Sequence, residues 1–271
     1  MKLVELFEHF IIDLDGVVYI GSKPISGVSE TICRLREMGK RVLFLTNDPR
    51  SSSKDYAKKL SDIDIPTAPE EVITSSTAVA YYLKEYHRPY GKTAYVVGTK
   101  ALKEEIESIG VRIIQGEDAK KADFVIIGGH PEFNYEEMKI ATLAVRNGAL
   151  FIGTNRDPYF PTPEGLIPAT GAILASIEVA SGKRAITVGK PEPTMFELVK
   201  KKLNPKRGEK IAIVGDTLQT DILGGKRARI GTILVLSGST TEKEVIRSKV
   251  KPDYIIRELS DILKEQRKHH A

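Results

Sequence analysis

Tryptophan is absent from this 271-residue chain and cysteine occurs once. No apolar run approaches the length needed to span a bilayer. The lone Cys33 excludes an internal disulfide and a cysteine-based zinc site. The opening MKLVELFEHF places Glu5 and Glu8 where a secretory signal needs an apolar centre, so the chain reads as cytoplasmic, without a membrane partner. A net charge of +5 suits an anionic ligand, but the excess is spread along the chain. With no arginine-rich tract and no interleaving of basic and aromatic residues, a nucleic-acid partner is not expected. Internal repeats and low-complexity tracts are missing too. What is present is 41% hydrophobic and 28% charged residues, the balance of a globular chain able to bury a core.

Short apolar runs alternate with amphipathic stretches throughout. Strands are expected at 9–14, 41–46, 93–98, 123–128, 149–153, 185–189, 210–215 and 231–236. Most are continuously apolar, as parallel strands covered on both faces should be. Helices are expected at 27–38, 51–61, 75–87, 99–109, 135–147, 171–181, 194–203, 219–228 and 242–249. Asn134-x-x-Glu137 and Thr241-x-x-Glu244 carry the capping-box pattern at two of these starts. Alternation of this kind predicts a doubly wound α/β fold with a Rossmann-like parallel sheet. The least regular segment is TNRDPYFPTPEGLIP (154–168), whose four prolines read as a long loop.

In open α/β sheets, ligands bind at the carboxyl ends of the strands, so the residues ending each apolar run are the ones to inspect. The first run, FIIDLDGVVYIG, ends in Asp13 and Asp15, which in an extended chain lie on one side about 6–7 Å apart. Asp15-Gly16 also reads as a hairpin turn. A calcium loop of the EF-hand type is excluded, because VVYIGSKPIS supplies no further oxygen ligands. The second run ends in Thr46-Asn47, each also a good helix N-cap. Lys190 precedes Pro191 and Pro193 at a helix start, an unfavourable place for a cation unless an anion is shared there. Asp216 follows the run IAIVG, with Asp221 five residues on; singly these read as a turn residue and a solvated helix residue. Four carboxylates at one sheet edge repel without a cation among them. All-oxygen ligation suits Mg²⁺. A lysine and helix N-termini converging on such an ion make a phosphate site.

DLDGV (13–17), LTN (45–47), GKPEP (189–193) and GDTLQTD (215–221) resemble, in order and spacing, the four motifs of the haloacid dehalogenase superfamily of phosphatases. Residues 133–173 are similar to the cap of its NagD-like, para-nitrophenylphosphatase branch, so the resemblance covers nearly the whole chain. It implies a core of 1–77 and 182–271 with an α/β cap, 78–181, inserted between. It implies catalysis by Asp13 as nucleophile, through an aspartyl-phosphate, with Asp15 as acid and then base. Mg²⁺ would be held by Asp13, Asp15 through its carbonyl, Asp216 and Asp221, and phosphate by Thr46, Asn47 and Lys190. Asp48-Pro49 departs from the usual pattern of relatives, which often place a second Asn or a small residue there.

The cap would select a small phosphorylated metabolite, with para-nitrophenyl phosphate as artificial substrate. Asn155, Arg156 and Asp157 either face the site, Arg156 meeting an anionic leaving group, or serve the turn before Pro158. Relatives with such caps often pair through them, which implies a homodimer. A phosphomutase or dehalogenase on the same scaffold, and a non-catalytic phospho-ligand module, are the alternatives; an intact Asp13–Asp15 pair argues against the last.

Overall fold

The computed structural model describes residues 2–162 and 164–265. Pro163 of the long loop, and the extreme ends of the expected 1–77 and 182–271 segments, lie outside them. In the first part of the chain run β1 (His9–Asp13), β2 (Tyr19–Ile20), β3 (Lys23–Pro24), α1 (Val28–Glu37), β4 (Arg41–Thr46), α2 (Ser53–Ser61) and β5 (Val72–Thr74). Then come α3 (Ser75–Tyr86), β6 (Thr93–Val97), α4 (Lys100–Glu107), β7 (Arg112–Ile113), β8 (Phe124–Ile127), α5 (Tyr135–Arg146) and β9 (Leu150–Gly153). β10 (Tyr159–Thr162), β11 (Gly165–Pro168), α6 (Thr170–Ser181), β12 (Ile186–Thr187) and α7 (Pro193–Leu203) follow. The chain closes with β13 (Ile211–Gly215), α8 (Leu223–Arg227), β14 (Gly231–Val235), α9 (Glu242–Arg247) and β15 (Tyr254–Ile256). Among the described residues, no helix is long and apolar enough to cross a membrane.

Two units emerge from the packing. Unit 1 comprises residues 1–46, 54–73 and 190–271; unit 2 comprises 47–53 and 74–189. The chain therefore passes between the units at 46/47, 53/54, 73/74 (inside β5) and 189/190, and the segment after β4 goes with unit 2.

Unit 1 holds a six-stranded sheet in the order β15-β14-β13-β1-β4-β5. β1 pairs in parallel with β13 (Ile11 opposite Ile213) and with β4 (Ile11 opposite Leu43). Every residue of β1 and β13 is buried, which explains their continuous apolar sequence. Phe10, Ile12, Phe44, Val214 and Ile233 pack into one core with Ile32 and Leu35 of α1. Each such side chain contributes about 1.5–3 kcal/mol by leaving water.

Unit 2 repeats the plan at smaller scale, a parallel five-stranded sheet in the order β12-β9-β8-β6-β7. Val97, Val125, Ile127 and Phe151 pack against Ile140 and Ala144 of α5 and Leu174 of α6. The capping box at α5 forms as its sequence implies: Asn134 Oδ1 accepts from Glu137 N–H (3.1 Å) and Glu137 Oε2 from Asn134 N–H (3.3 Å). The same exchange starts α9 between Thr241 and Glu244.

Two local expectations change. Segment 154–168 is not wholly loop: β10 and β11 form an antiparallel hairpin, Tyr159 opposite Pro168, with Thr162 Oγ1 donating to the Gly165 carbonyl (2.9 Å) across the turn. A two-stranded ribbon has only edges, so it tolerates proline where a sheet interior would not. Asp15-Gly16 does not join hairpin arms. The hairpin lies further on, β2 against β3, and residues 14–19 form a tight turn in which Val18 N–H bonds the Leu14 carbonyl (2.8 Å).

Candidate active site

Asp13 is the last residue of β1, and Asp216 follows β13, its parallel neighbour. Lys190 stands just ahead of α7, and Asp221 lies in the wide π-type turn Leu218–Ile222 that leads into α8. Such turns are rare and collect at functional sites. This one carries the Asp221 carboxylate back under its own strand. Gly215 has no side chain because a Cβ there would sit 2.3 Å from Asp221 Cγ.

Lys190 joins the group. Its Nζ donates to Asp13 Oδ1 (2.5 Å), to Asp221 Oδ1 (2.7 Å) and more weakly to the Leu45 carbonyl (3.4 Å). All four charged groups are almost wholly buried: Asp13 is 7% exposed, Asp216 6%, Asp221 1% and Lys190 3%. Asp13, Asp216 and Asp221 each bring a carboxylate oxygen within 4.8 Å of the others; among the described residues this is the only such group of three. Burial pushes the Asp13 carboxyl well above the usual range; the Lys190 ammonium pulls it back, and repulsion from Asp221 and Asp216 adds to the rise. Asp221 is raised for the same reason, burial first. Burial opposes the charge on Lys190, yet Asp13 and Asp221 outweigh it and hold the ammonium above its ordinary pKa.

With every group ionised, three carboxylates and one ammonium leave two negative charges buried together. Burial, with like charges beside it, keeps the Asp13 and Asp221 carboxyls raised. One divalent cation removes that excess charge, and a donor set of oxygens alone fits a hard ion such as Mg²⁺. The residues present fit that group.

Further hydrogen bonds fix the carboxylates. Asp216 Oδ2 accepts from Ser239 N–H (2.7 Å) and Ser239 Oγ (2.8 Å), and its Oδ1 accepts from Thr217 Oγ1 (2.9 Å). Asp221 Oδ2 accepts from Thr217 N–H (3.2 Å). Gly16 adopts φ +80°, and a Cβ there would lie 2.4 Å from Asp216 Oδ2. Sequence inspection passed over Ser239, because a serine in the loop LSGST carries no signal of its own.

The remaining expected residues divide. Asp15 is exposed, on the turn after β1. Thr46 is buried at the end of β4. Neither Thr46 nor Asn47 caps a helix, since α2 begins only at Ser53. Asn47 belongs to unit 2, where its carbonyl accepts from Ser75 Oγ (2.5 Å) and Asn155 Nδ2 (2.8 Å). The Asn47 amide donates to Asp157 Oδ2 (3.1 Å) and Oδ1 (3.3 Å), while Asn155 Oδ1 takes the Asp157 N–H (3.0 Å). Asn155 thus serves both its own turn and Asn47. Arg156 is engaged elsewhere in the framework of unit 2. Its guanidinium donates to Glu178 Oε1 (2.6 Å) and Oε2 (3.2 Å) and to the Ala185 carbonyl (3.0 Å). The hydrogen bond from Arg156 lowers the Glu178 carboxyl below its usual range.

Sequence families match at both ends of the chain: a haloacid dehalogenase-like hydrolase family over residues 10–112 and a HAD-hydrolase-like family over 187–262. An acid sugar phosphatase of Staphylococcus saprophyticus is 34% identical over 262 residues, covering 97% of this chain and 99% of that protein. Among solved structures, a 4-nitrophenylphosphatase from Thermotoga maritima superposes with a TM-score of 0.89 at 32% identity, covering 98% of this chain and 99% of its own. A glycerol phosphate phosphatase from Mycobacterium tuberculosis, solved in complex with magnesium, gives 0.90 at 28% identity over 98% of this chain and 79% of its own.

Proposed function

The chain belongs to the haloacid dehalogenase-like hydrolases, and on that premise we propose that it is a Mg²⁺-dependent phosphomonoesterase working through an aspartyl-phosphate. The observation that carries this reading is the Lys190 ammonium set between Asp13 and Asp221, with Asp216 beside them at the same sheet edge. Binding a phosphate needs positive charge only. A buried acidic trio around that lysine adds a nucleophile and a cation seat.

In the first step an Asp13 carboxylate oxygen attacks phosphorus and the bond from phosphorus to the leaving oxygen breaks. Asp15 gives that oxygen its proton. In the second step Asp15 takes a proton from water as the water oxygen attacks the phosphoryl group, releasing phosphate and restoring the Asp13 carboxylate. Lys190 holds Asp13 in place and balances charge on the phosphoryl oxygens, with Thr46 and Asn47 as further donors. Asp13, Asp216, Asp221 and the Asp15 carbonyl would hold the ion, which when bound would neutralise phosphoryl charge.

The relatives' names, for sugar, glycerol and nitrophenyl phosphates, support a small alcohol phosphate as substrate. A screen of phosphorylated sugars, polyols and nitrophenyl phosphate tests this. Turnover should require Mg²⁺ and vanish with EDTA. Activity that survives chelation would favour dehalogenase-type chemistry on the same scaffold, which needs no acidic metal seat.

A further inference from the structure

Lys190 binds Asp13 and Asp221. Asp216, the third carboxylate, is fixed by three donors: Ser239 N–H and Ser239 Oγ on Oδ2, and Thr217 Oγ1 on Oδ1. The two hydroxyls also touch each other, Thr217 Oγ1 to Ser239 Oγ at 3.1 Å. Space is restricted on the same side, because a Cβ on Gly238 would lie 2.1 Å from Asp216 Oδ2. Ser239 therefore reaches Asp216 through a loop built to let that carboxylate lie against its backbone.

Resting on the metal reading above, we propose that Ser239 is a positioning residue for the cation: its hydroxyl holds the Asp216 carboxylate in one orientation. Hydrogen bonds to a metal-ligating carboxylate keep it aimed, and their removal typically lowers metal affinity about 10–100-fold. Ser239 is itself exposed, so removing its hydroxyl leaves no hole in the core. Its backbone N–H remains when alanine or threonine replaces it, which places the expected loss near the lower end, about 10-fold.

The test is calorimetric titration of the full-length chain with Mg²⁺ alone, without substrate. Wild type should bind one ion; if it does not, the metal reading itself is wrong. Ser239→Ala should bind about 10-fold more weakly and Ser239→Thr, which keeps the hydroxyl, should recover most of the loss. Gly238→Ala, which crowds Oδ2 directly, should lose more than Ser239→Ala. Ser237→Ala is the control for general loop ordering, because the Ser237 hydroxyl bonds the Gly16 carbonyl (2.7 Å) and not Asp216. Wild-type affinity in Ser239→Ala, or an equal loss in Ser237→Ala, would overturn the assignment while leaving the metal reading intact.

Discussion

Units 1 and 2 are built alike and finished differently. Each is a parallel sheet flanked by helices, and each ties neighbouring strands with the same clip. In unit 2, Asp123 at the foot of β8 accepts from the N–H (2.8 Å) and hydroxyl (2.9 Å) of Thr93 on β6, with Lys92 alongside (3.0 Å). In unit 1, Asp253 before β15 accepts from the N–H (2.9 Å) and hydroxyl (2.8 Å) of Thr232 on β14, with Lys226 alongside. The contrast is at the carboxyl ends. β1, β4 and β13 of unit 1 lead into Asp13, Thr46 and Asp216, whereas β6, β8 and β9 of unit 2 lead into Gly98, Gly128 and Thr154. One architecture supplies the place for a ligand twice. On the proposed function, the nucleophile and the carboxylates for the ion come from unit 1, and the fold alone would not have told the two units apart.

That contrast breaks most sharply at Lys190. Replacing it with Met leaves Asp13 and Asp221 buried against each other without a counter-charge. Losing one member of a buried ion pair typically costs about 3–5 kcal/mol, and losing a charge that stabilises the transition state costs on the order of 10²–10³ in turnover. Hydrogen exchange should show the loosening in β1 and β13 and leave β6 and β8 protected as before. Equal loosening in both sheets would show that the lysine supports the whole molecule and not one strand edge.

Arg156→Ala should do the reverse, touching unit 2 and sparing the chemistry. It removes two hydrogen bonds to Glu178 and one to the Ala185 carbonyl, a loss of about 1–3 kcal/mol for partly buried charged groups. Turnover of nitrophenyl phosphate should stay within about twofold of wild type, since no transition-state contact is removed. A change in KM for one phosphate ester with unaltered exchange in α6 would instead put the guanidinium on the leaving group.

The clips give the smallest effects and the closest match between units. Burial opposes the charge of Asp123 and Asp253, but the amide, hydroxyl and ammonium donors outweigh it and hold both carboxyls below the ordinary value. A carboxyl lowered in the folded state stabilises fully above its unfolded pKa, about 3.9, and the contribution fades as pH falls through the lower folded value. Asp123→Asn and Asp253→Asn should each cost about 1 kcal/mol at neutral pH. The cost should shrink below about pH 4, read as faster exchange of the Thr93 and Thr232 amides respectively. A penalty that persists in acid would mean that shape, and not charge, makes the clip.

How much of this the sequence revealed depended on how far apart the partners lie. Long periodic segments such as 27–38 and 135–147 became α1 and α5 within a residue or two, because their apolar spacing is local information. β2, β3 and β7 are two residues each, too short to show a period. The hairpin inside 154–168 was hidden by its prolines, which mark edges as readily as loops. Asp13, Lys190, Asp216 and Asp221 were legible as motif ends, but their pairing was not: Lys190 meets Asp13 across 177 residues. Asp221 looked like a solvated helix residue until the turn at Leu218–Ile222 carried it inward. Arg156 was visible as a charge, while the Glu178 that claims it sits a helix away.

The central claim is that the phosphoryl group passes through Asp13 and that Asp15 serves both half-reactions. Nitrophenolate is a weak base and leaves without a proton, whereas an alkoxide does not. Rapid-quench reaction of the Asp15→Asn variant with nitrophenyl phosphate, followed by intact mass and peptide mapping, tests it most directly. The account predicts a burst of nitrophenol near one equivalent per chain, with a lasting phosphoryl group on the peptide bearing Asp13, and almost no phosphoprotein from an alkyl phosphate. Steady slow release without a burst, or label on any other residue, would contradict it.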